Sequence, residues 1–337
     1  MIRIKFPYRG YILASILVPS LCFSQADFPL APSFLQQINP SIHGINLTSK
    51  SGVLFSSYNY GDGLNAESNY LYGNIAFRDL NFSIGIDVKS LSLNQLGLKD
   101  NSFRLSYAYN LRLGYTTYFL AGVDVAIASQ ILDPSALIFQ DQLNAQLGSI
   151  VDSSIDPLAK IKPSTNYFDM GISATVYNEN YMLGVYIAHL NTPNISFNKE
   201  STIEKEIAYT LNGAIEFDIN PYGRGILPEN TFFYGSVYGV LHADTMRLVA
   251  TQELQMNTFS FGFLQSLVSY GENSAIEKGV ITTIAFNNFL LNANYTLPSA
   301  SNKINVPSIF ELGLRFNFDR FLNNRRGYFK RLSTDNL

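Results

Sequence analysis

The chain has 337 residues, of which 15% are charged and 14% aromatic, the aromatics being 25 Phe and 21 Tyr with no Trp. A water-soluble domain usually carries about a quarter charged residues, so this deficit points to a protein whose outside does not face water. A net charge of −3 without a basic stripe argues against a nucleic-acid binder, and a single cysteine, Cys22, rules out a disulfide framework.

The chain opens with Arg3, Lys5 and Arg9, continues with an apolar run from Gly10 to Phe23, and then reads Ser24-Gln25-Ala26. A positive start, a short apolar stretch and a small residue at the cut describe a secretory signal, with cleavage expected after Ser24. Pro19 interrupts the run, which falls short of the roughly 20 apolar residues a spanning helix needs. Leu21 stands before Cys22 where a lipid anchor calls for a small residue, so lipidation is not expected. Removal of 1–24 takes Lys+Arg from 23 to 20 against 26 acids, giving a net charge of −6 and a chain without cysteine. The expected organisation is a signal peptide at 1–24, an irregular N-terminal segment at 25–50 with Pro29, Pro32 and Pro40, a β-barrel at 51–318 and a basic tail at 319–337.

From Gly52 onward the dominant pattern has period two, the signature of strands with two unlike faces. Phe82, Ile84, Ile86 and Val88 oppose Ser83, Gly85, Asp87 and Lys89; Phe103, Leu105, Tyr107 and Tyr109 oppose Arg104, Ser106, Ala108 and Asn110. The pattern predicts about 14 strands. The first seven are Gly52 to Tyr60, Tyr70 to Phe77, Asn81 to Lys89, Ser102 to Asn110, Thr116 to Gln130, Asn166 to Tyr177 and Tyr181 to Ala188. The second seven are Lys205 to Ile219, Phe232 to Val240, Met246 to Leu254, Thr258 to Leu267, Gly279 to Phe286, Phe289 to Leu297 and Ser308 to Phe318. Those beginning near Gly52, Phe232 and Met246 alternate poorly. Many approach the nine to eleven residues of a tilted transmembrane strand.

Connections alternate between tight and long. Arg78 to Leu80, Asn178 to Asn180, Gln255 to Asn257 and Asn287-Asn288 are tight; Gly61 to Asn69, Ser90 to Asn101, Ile131 to Thr165, Leu190 to Glu204, Val268 to Lys278 and Pro298 to Pro307 are long. Asn220 to Thr231 is long, and Leu241 to Thr245 short, against this rhythm. Short turns on one side and long loops on the other describe an outer-membrane barrel. Hydrocarbon offers no water to backbone groups, so a spanning chain without a spanning helix must close its sheet. The predicted fold is an all-β, up-and-down antiparallel barrel of about 14 strands. A soluble sandwich produces the same alternation locally, but usually with shorter strands.

Charges on the polar faces are the candidate site residues: Asp87, Lys89, Arg104, Asp124, Asp169, Glu216, Asp218, Glu311 and Arg315. A charge on the lipid face costs a few kcal/mol at the midplane, so all nine are expected to face the lumen, as a polar surface for a polypeptide or solute or as a salt-bridged interior. The apolar residues Leu137, Ile138, Phe139, Leu143 and Leu147 in the longest loop suggest a short amphipathic helix, a partner surface or an inward-folded plug. His43, His189 and His242 do not form a metal-ligand spacing, and no motif with a catalytic mechanism occurs. No enzyme activity, metal or cofactor is expected. The bare alternation leaves three classes open: a secretion component, a passive channel or small-molecule transporter, and a secreted sandwich.

Several segments resemble the PorP/SprF family of the Bacteroidota type IX secretion system. Gln25-Ala26-Asp27-Phe28 and Phe34-Leu35-Gln36-Gln37-Ile38-Asn39-Pro40-Ser41, followed by Gly44, are similar to its opening, with Ser41-Ile42-His43 departing from the usual Ala-x-Ala. Leu105-Ser106-Tyr107-Ala108-Tyr109-Asn110 resembles its fourth-strand motif. Leu183-Gly184-Val185-Tyr186-Ile187-Ala188-His189-Leu190 resembles its Gly-x-Ser-x-x-His-Leu segment, with Tyr186 at the serine position. The resemblance implies an outer-membrane barrel that serves particular secreted cargo, commonly large adhesins, and often gliding motility. Implied partners are the lipid bilayer, other secretion-system components and cargo; nucleic acid and small-molecule ligands are not implied.

Overall fold

The computed structural model describes residues 29–318, except 62–63, 135–136, 138–141, 145–148, 151–153, 155–162, 198–200, 224, 230, 272 and 302–303. The signal peptide and basic tail expected from sequence lie outside the described residues, as does most of the segment expected to carry an amphipathic helix.

Fourteen antiparallel strands close into one barrel. They are β1 (Lys50–Asn59), β2 (Asn65–Phe77), β3 (Phe82–Leu93), β4 (Leu98–Arg112), β5 (Tyr118–Leu132), β6 (Ser164–Tyr177) and β7 (Tyr181–Ala188), then β8 (Ala208–Asp218), β9 (Thr231–His242), β10 (Thr245–Met256), β11 (Phe259–Tyr270), β12 (Asn273–Phe286), β13 (Phe289–Leu297) and β14 (Ser308–Asn317). Each strand pairs with its sequence neighbour, and β1 meets β14 through ten partners from Lys50 with Asn317 to Asn59 with Ser308. Closure removes the edges that lipid cannot satisfy.

Alternation sorts the side chains by chemistry. Val53, Phe55, Ile84, Ile86, Val88, Phe103 and Leu105 stand exposed on the outside, while Ser83, Asp87, Ser106, Asp124, Glu216 and Glu311 are buried on the inside. The outer belt meets lipid tails. A closed sheet with such an outer face is built to span a membrane by its strands.

Several strands run farther than the alternation indicates. Ser90 to Asn101 reads as a long loop, yet β3 and β4 stay paired to Leu93 with Leu98, leaving a turn at 94–97. Here the chemistry of the two faces reverses: Leu91 and Leu93 point inward and are buried, with Ser90 and Ser92 outside. A hairpin rising above the bilayer meets water on its outer face, which inverts the pattern. Val268 to Lys278 likewise shrinks, because β11 and β12 stay paired up to Tyr270 with Asn273. Gly61 to Asn69 shrinks because β2 begins at Asn65.

Long connections at 133–163, 189–207 and 298–307 share one end of the barrel. Both strand termini share the other end with the turns at 78–81, 178–180, 257–258 and 287–288, which is therefore the periplasmic end. Asn81, Asn257 and Asn287 adopt φ of 55°, 51° and 50°, a left-handed conformation that asparagine tolerates better than most side chains. The connection at 219–230 is the long exception on this end, and 243–244 the short one on the other.

Candidate functional site: a plugged lumen

Residues 29–49 do not lie outside the barrel. They fold as two 3-10 segments, Pro32–Gln37 and Pro40–Leu47, that occupy the lumen. Leu30, Ala31, Phe34, Asn39 and Ser41 are all 0% exposed.

Asn39 shapes the turn between the two segments. Its Oδ1 accepts from the backbone N–H of Ser41 at 3.2 Å and the Ser41 hydroxyl at 2.7 Å, while Pro40 takes the first helical position, where its missing N–H is no loss. Its Nδ2 donates to Asn212 on β8 at 2.7 Å and Thr175 on β6 at 3.1 Å. One side chain thus caps the plug and binds two walls.

On a neighbouring part of the wall Asp87 and Arg104 face each other across the β3–β4 ladder. Arg104 Nε donates to Asp87 at 3.0 Å, and its two terminal nitrogens donate to the carbonyls of Gln36 at 2.9 Å and Gln37 at 3.3 Å. Asp87 also meets His43 Nε2 at 3.2 Å and accepts from the Tyr70 hydroxyl. A third wall contributes Glu311, whose carboxylate accepts from the N–H groups of Leu30 and Ala31 at 3.0 and 3.1 Å, from Ser56 at 3.2 Å and from Asn294 at 3.0 Å. The Tyr238 hydroxyl donates to the Leu30 carbonyl.

Glycines on the inner face make the plug fit. A Cβ on Gly85 would lie 2.5 Å from the His43 ring, and one on Gly122 would lie 3.0 Å from Ser41 Cα. Leu54, Tyr58, Tyr234 and Tyr238 turn large buried side chains inward on β1 and β9. This is the cause of the poor alternation there: these strands face an apolar part of the plug instead of water.

The nine sequence-derived candidates occupy different places. Asp87, Arg104 and Glu311 hold the plug. Lys89, Asp124 and Asp169 line a cavity of about 210 Å³ between the plug and the connection at 189–207. Asp169 pairs with His189 at 2.6 Å across its rim. Glu216 is fully buried on β8, and Arg315 lines a second cavity of about 60 Å³ beside Tyr72 and His43. Asp218 sits at the strand end, where it accepts from the Asn220 N–H at 2.8 Å. Sequence reasoning missed the buried pair Arg247–Glu277 at 2.8 Å: Arg247 lies on a poorly alternating strand, and Glu277 fell in an expected loop. It also missed the polar role of residues 29–49, for which the resemblance to Asn39-Pro40-Ser41 and Gly44 was the available signal.

The motifs carrying that resemblance converge here. Asn110 Nδ2 donates to the Tyr177 hydroxyl at 2.9 Å and the Gly44 carbonyl at 3.4 Å. A Cβ on Gly44 would lie 3.1 Å from Ala108, and one on Gly184 would lie 2.6 Å from Asn39 Nδ2.

Fold and lumen together define an outer-membrane β-barrel whose interior is occupied by its own N-terminal segment. The sequence profile of the type IX secretion system membrane protein PorP/SprF matches residues 35–316, and the chain belongs to that family. It is thereby an outer-membrane component of type IX secretion. Among curated proteins nothing matches. Among solved structures, the Acinetobacter baumannii outer membrane protein Omp33 is 10% identical with a TM-score of 0.45, covering 80% of this chain and 98% of that one. A mutant of the TodX monoaromatic hydrocarbon channel is 10% identical with a TM-score of 0.46, covering 80% and 89%. The KdgM porin is 7% identical with a TM-score of 0.35, covering 80% and 99%.

Proposed function

We propose that this chain assists the export or surface attachment of particular cargo proteins, gliding adhesins among them, by protein–protein contacts and without conducting solutes. The observation that carries the reading is the occupied lumen: residues 29–49 bond to β3 and β4 on one side, β6 and β8 on another, and β14 on a third. A barrel so filled is left to act through its loops, its periplasmic turns and its termini. In this reading the protein reaches the outer membrane through a leader removed after Ser24, and the basic tail, with Arg320, Arg325, Arg326, Lys330 and Arg331, is a candidate contact for an acidic periplasmic partner. Catalysis has no part in it.

A deletion strain tests the proposal. Comparison of its surface proteins with the parent's should show loss of one or a few cargo proteins, restored by the intact gene. An unchanged surface proteome, with altered uptake of a small solute instead, contradicts it and favours a transport channel.

A further inference from the structure

The cavity of about 210 Å³ in the outer half of the lumen takes no part in holding the plug through most of its wall. It lies above Gln37 and Ile38, between β3–β6 and the connection that carries His189 and Lys205. Four acids, Asp87, Asp100, Asp124 and Asp169, and three bases, Lys89, Arg104 and Lys205, line it, a formal balance of −1 with both histidines neutral.

The negative charge is unevenly placed. Arg104 is committed to Asp87 at 3.0 Å, Asp169 to His189, and Lys205 donates to the Tyr167 hydroxyl at 3.1 Å. Asp124 is 5% exposed. Its Oδ2 accepts one hydrogen bond, from Tyr186 at 3.2 Å, and among the described residues its Oδ1 has no partner. A Cβ on Gly171 would lie 2.8 Å from that oxygen, so glycine keeps its surroundings clear. A buried carboxylate oxygen without a donor is costly unless a cation or donor supplies the missing bond.

We propose that this cavity binds a small organic monocation, a primary ammonium or guanidinium on a short chain, with its charged head against Asp124. One positive charge brings the cavity to neutrality. The volume equals that of about seven liquid waters at roughly 30 Å³ each, room for such a head and a few carbons. The inference does not depend on the cargo reading above.

The test is calorimetric titration of the full chain, folded in detergent, with n-butylammonium and methylguanidinium, using n-butanol as neutral isostere and butyrate as anion. Both cations should bind saturably and the other two should not. Asp124→Asn should weaken cation binding by about tenfold or more, as expected for a lost charge contact of this kind. Ala126→Leu, which fills the cavity while keeping Asp124, should do the same. Retention of the heat-resistant folded form shows that each variant still folds. Absence of cation binding at tens of millimolar, equal binding of n-butanol, preference for butyrate, or undiminished binding by folded Asp124→Asn protein would each overturn the proposal.

Discussion

A carboxylate sealed from water must find its donors in the protein, and Glu311 finds them in two backbone N–H groups of the plug and two wall side chains. Hydrogen bonds to a charged group contribute about 1.5–3 kcal/mol each, so Glu311→Ala should loosen the seating of residues 29–31 by about 3 kcal/mol or more. Limited proteolysis of the folded protein checks this: cleavage near Leu30 should accelerate strongly, with Glu311→Gln in between, and an unchanged rate refutes the anchor. Arg104→Lys makes a second case, because an ammonium lacks the planar fork that serves Asp87 and two carbonyls at once. It should expose the Gln36–Gln37 region with little loss of barrel stability. At this scale the sequence was half legible. A charge on a polar face points inward for reasons of solvation alone, but whether it meets water, an ion partner or the plug depends on contacts hundreds of residues apart, as between Leu30 and Glu311.

At the scale of strands and segments, the wall and the plug are shaped to each other. Gly85→Val would press its side chain into the His43 ring, and overpacking of this kind costs about 1–3 kcal/mol. The expected result is a displaced second 3-10 segment with the barrel intact, read as new protease cleavage between Pro40 and Leu47 at unchanged resistance of the barrel to heat. Gly73 provides the contrast, since nothing lies within 4 Å of a Cβ there; Gly73→Ala should leave both readouts unchanged. Where alternation was clean, as in Phe82 to Lys89 or Phe103 to Asn110, the strands were legible because one face met lipid and the other the interior of the barrel. It failed where either environment changed. Above the bilayer the outer face is wet, which hid the pairing of Leu91 and Leu93 in an expected loop. Against the plug the inner face is greasy, with Leu54, Tyr58, Tyr234 and Tyr238 turned inward, which blurred β1 and β9. The Pro-rich stretch before Lys50 read as irregular for a sound reason, since 3-10 turns lack strand or helix periodicity, and its place inside the barrel left no trace in that pattern.

For the whole molecule, closure of fourteen strands and filling of the lumen are separate achievements of the sequence. Closure follows from the lipid side, because backbone groups in hydrocarbon must pair. Filling follows from the inner faces, whose Gly, Ala, Ser and Asn residues make room for a segment that brings its own hydrogen bonds. A barrel of this kind suits a secretion component that presents surfaces more than a pore that passes solutes. The most direct test is single-channel recording in planar bilayers of the intact protein beside a variant lacking residues 29–47. The account predicts a silent intact protein and steady conductance from the variant; steady open-pore conductance from the intact protein, equal to that of the variant, would contradict it.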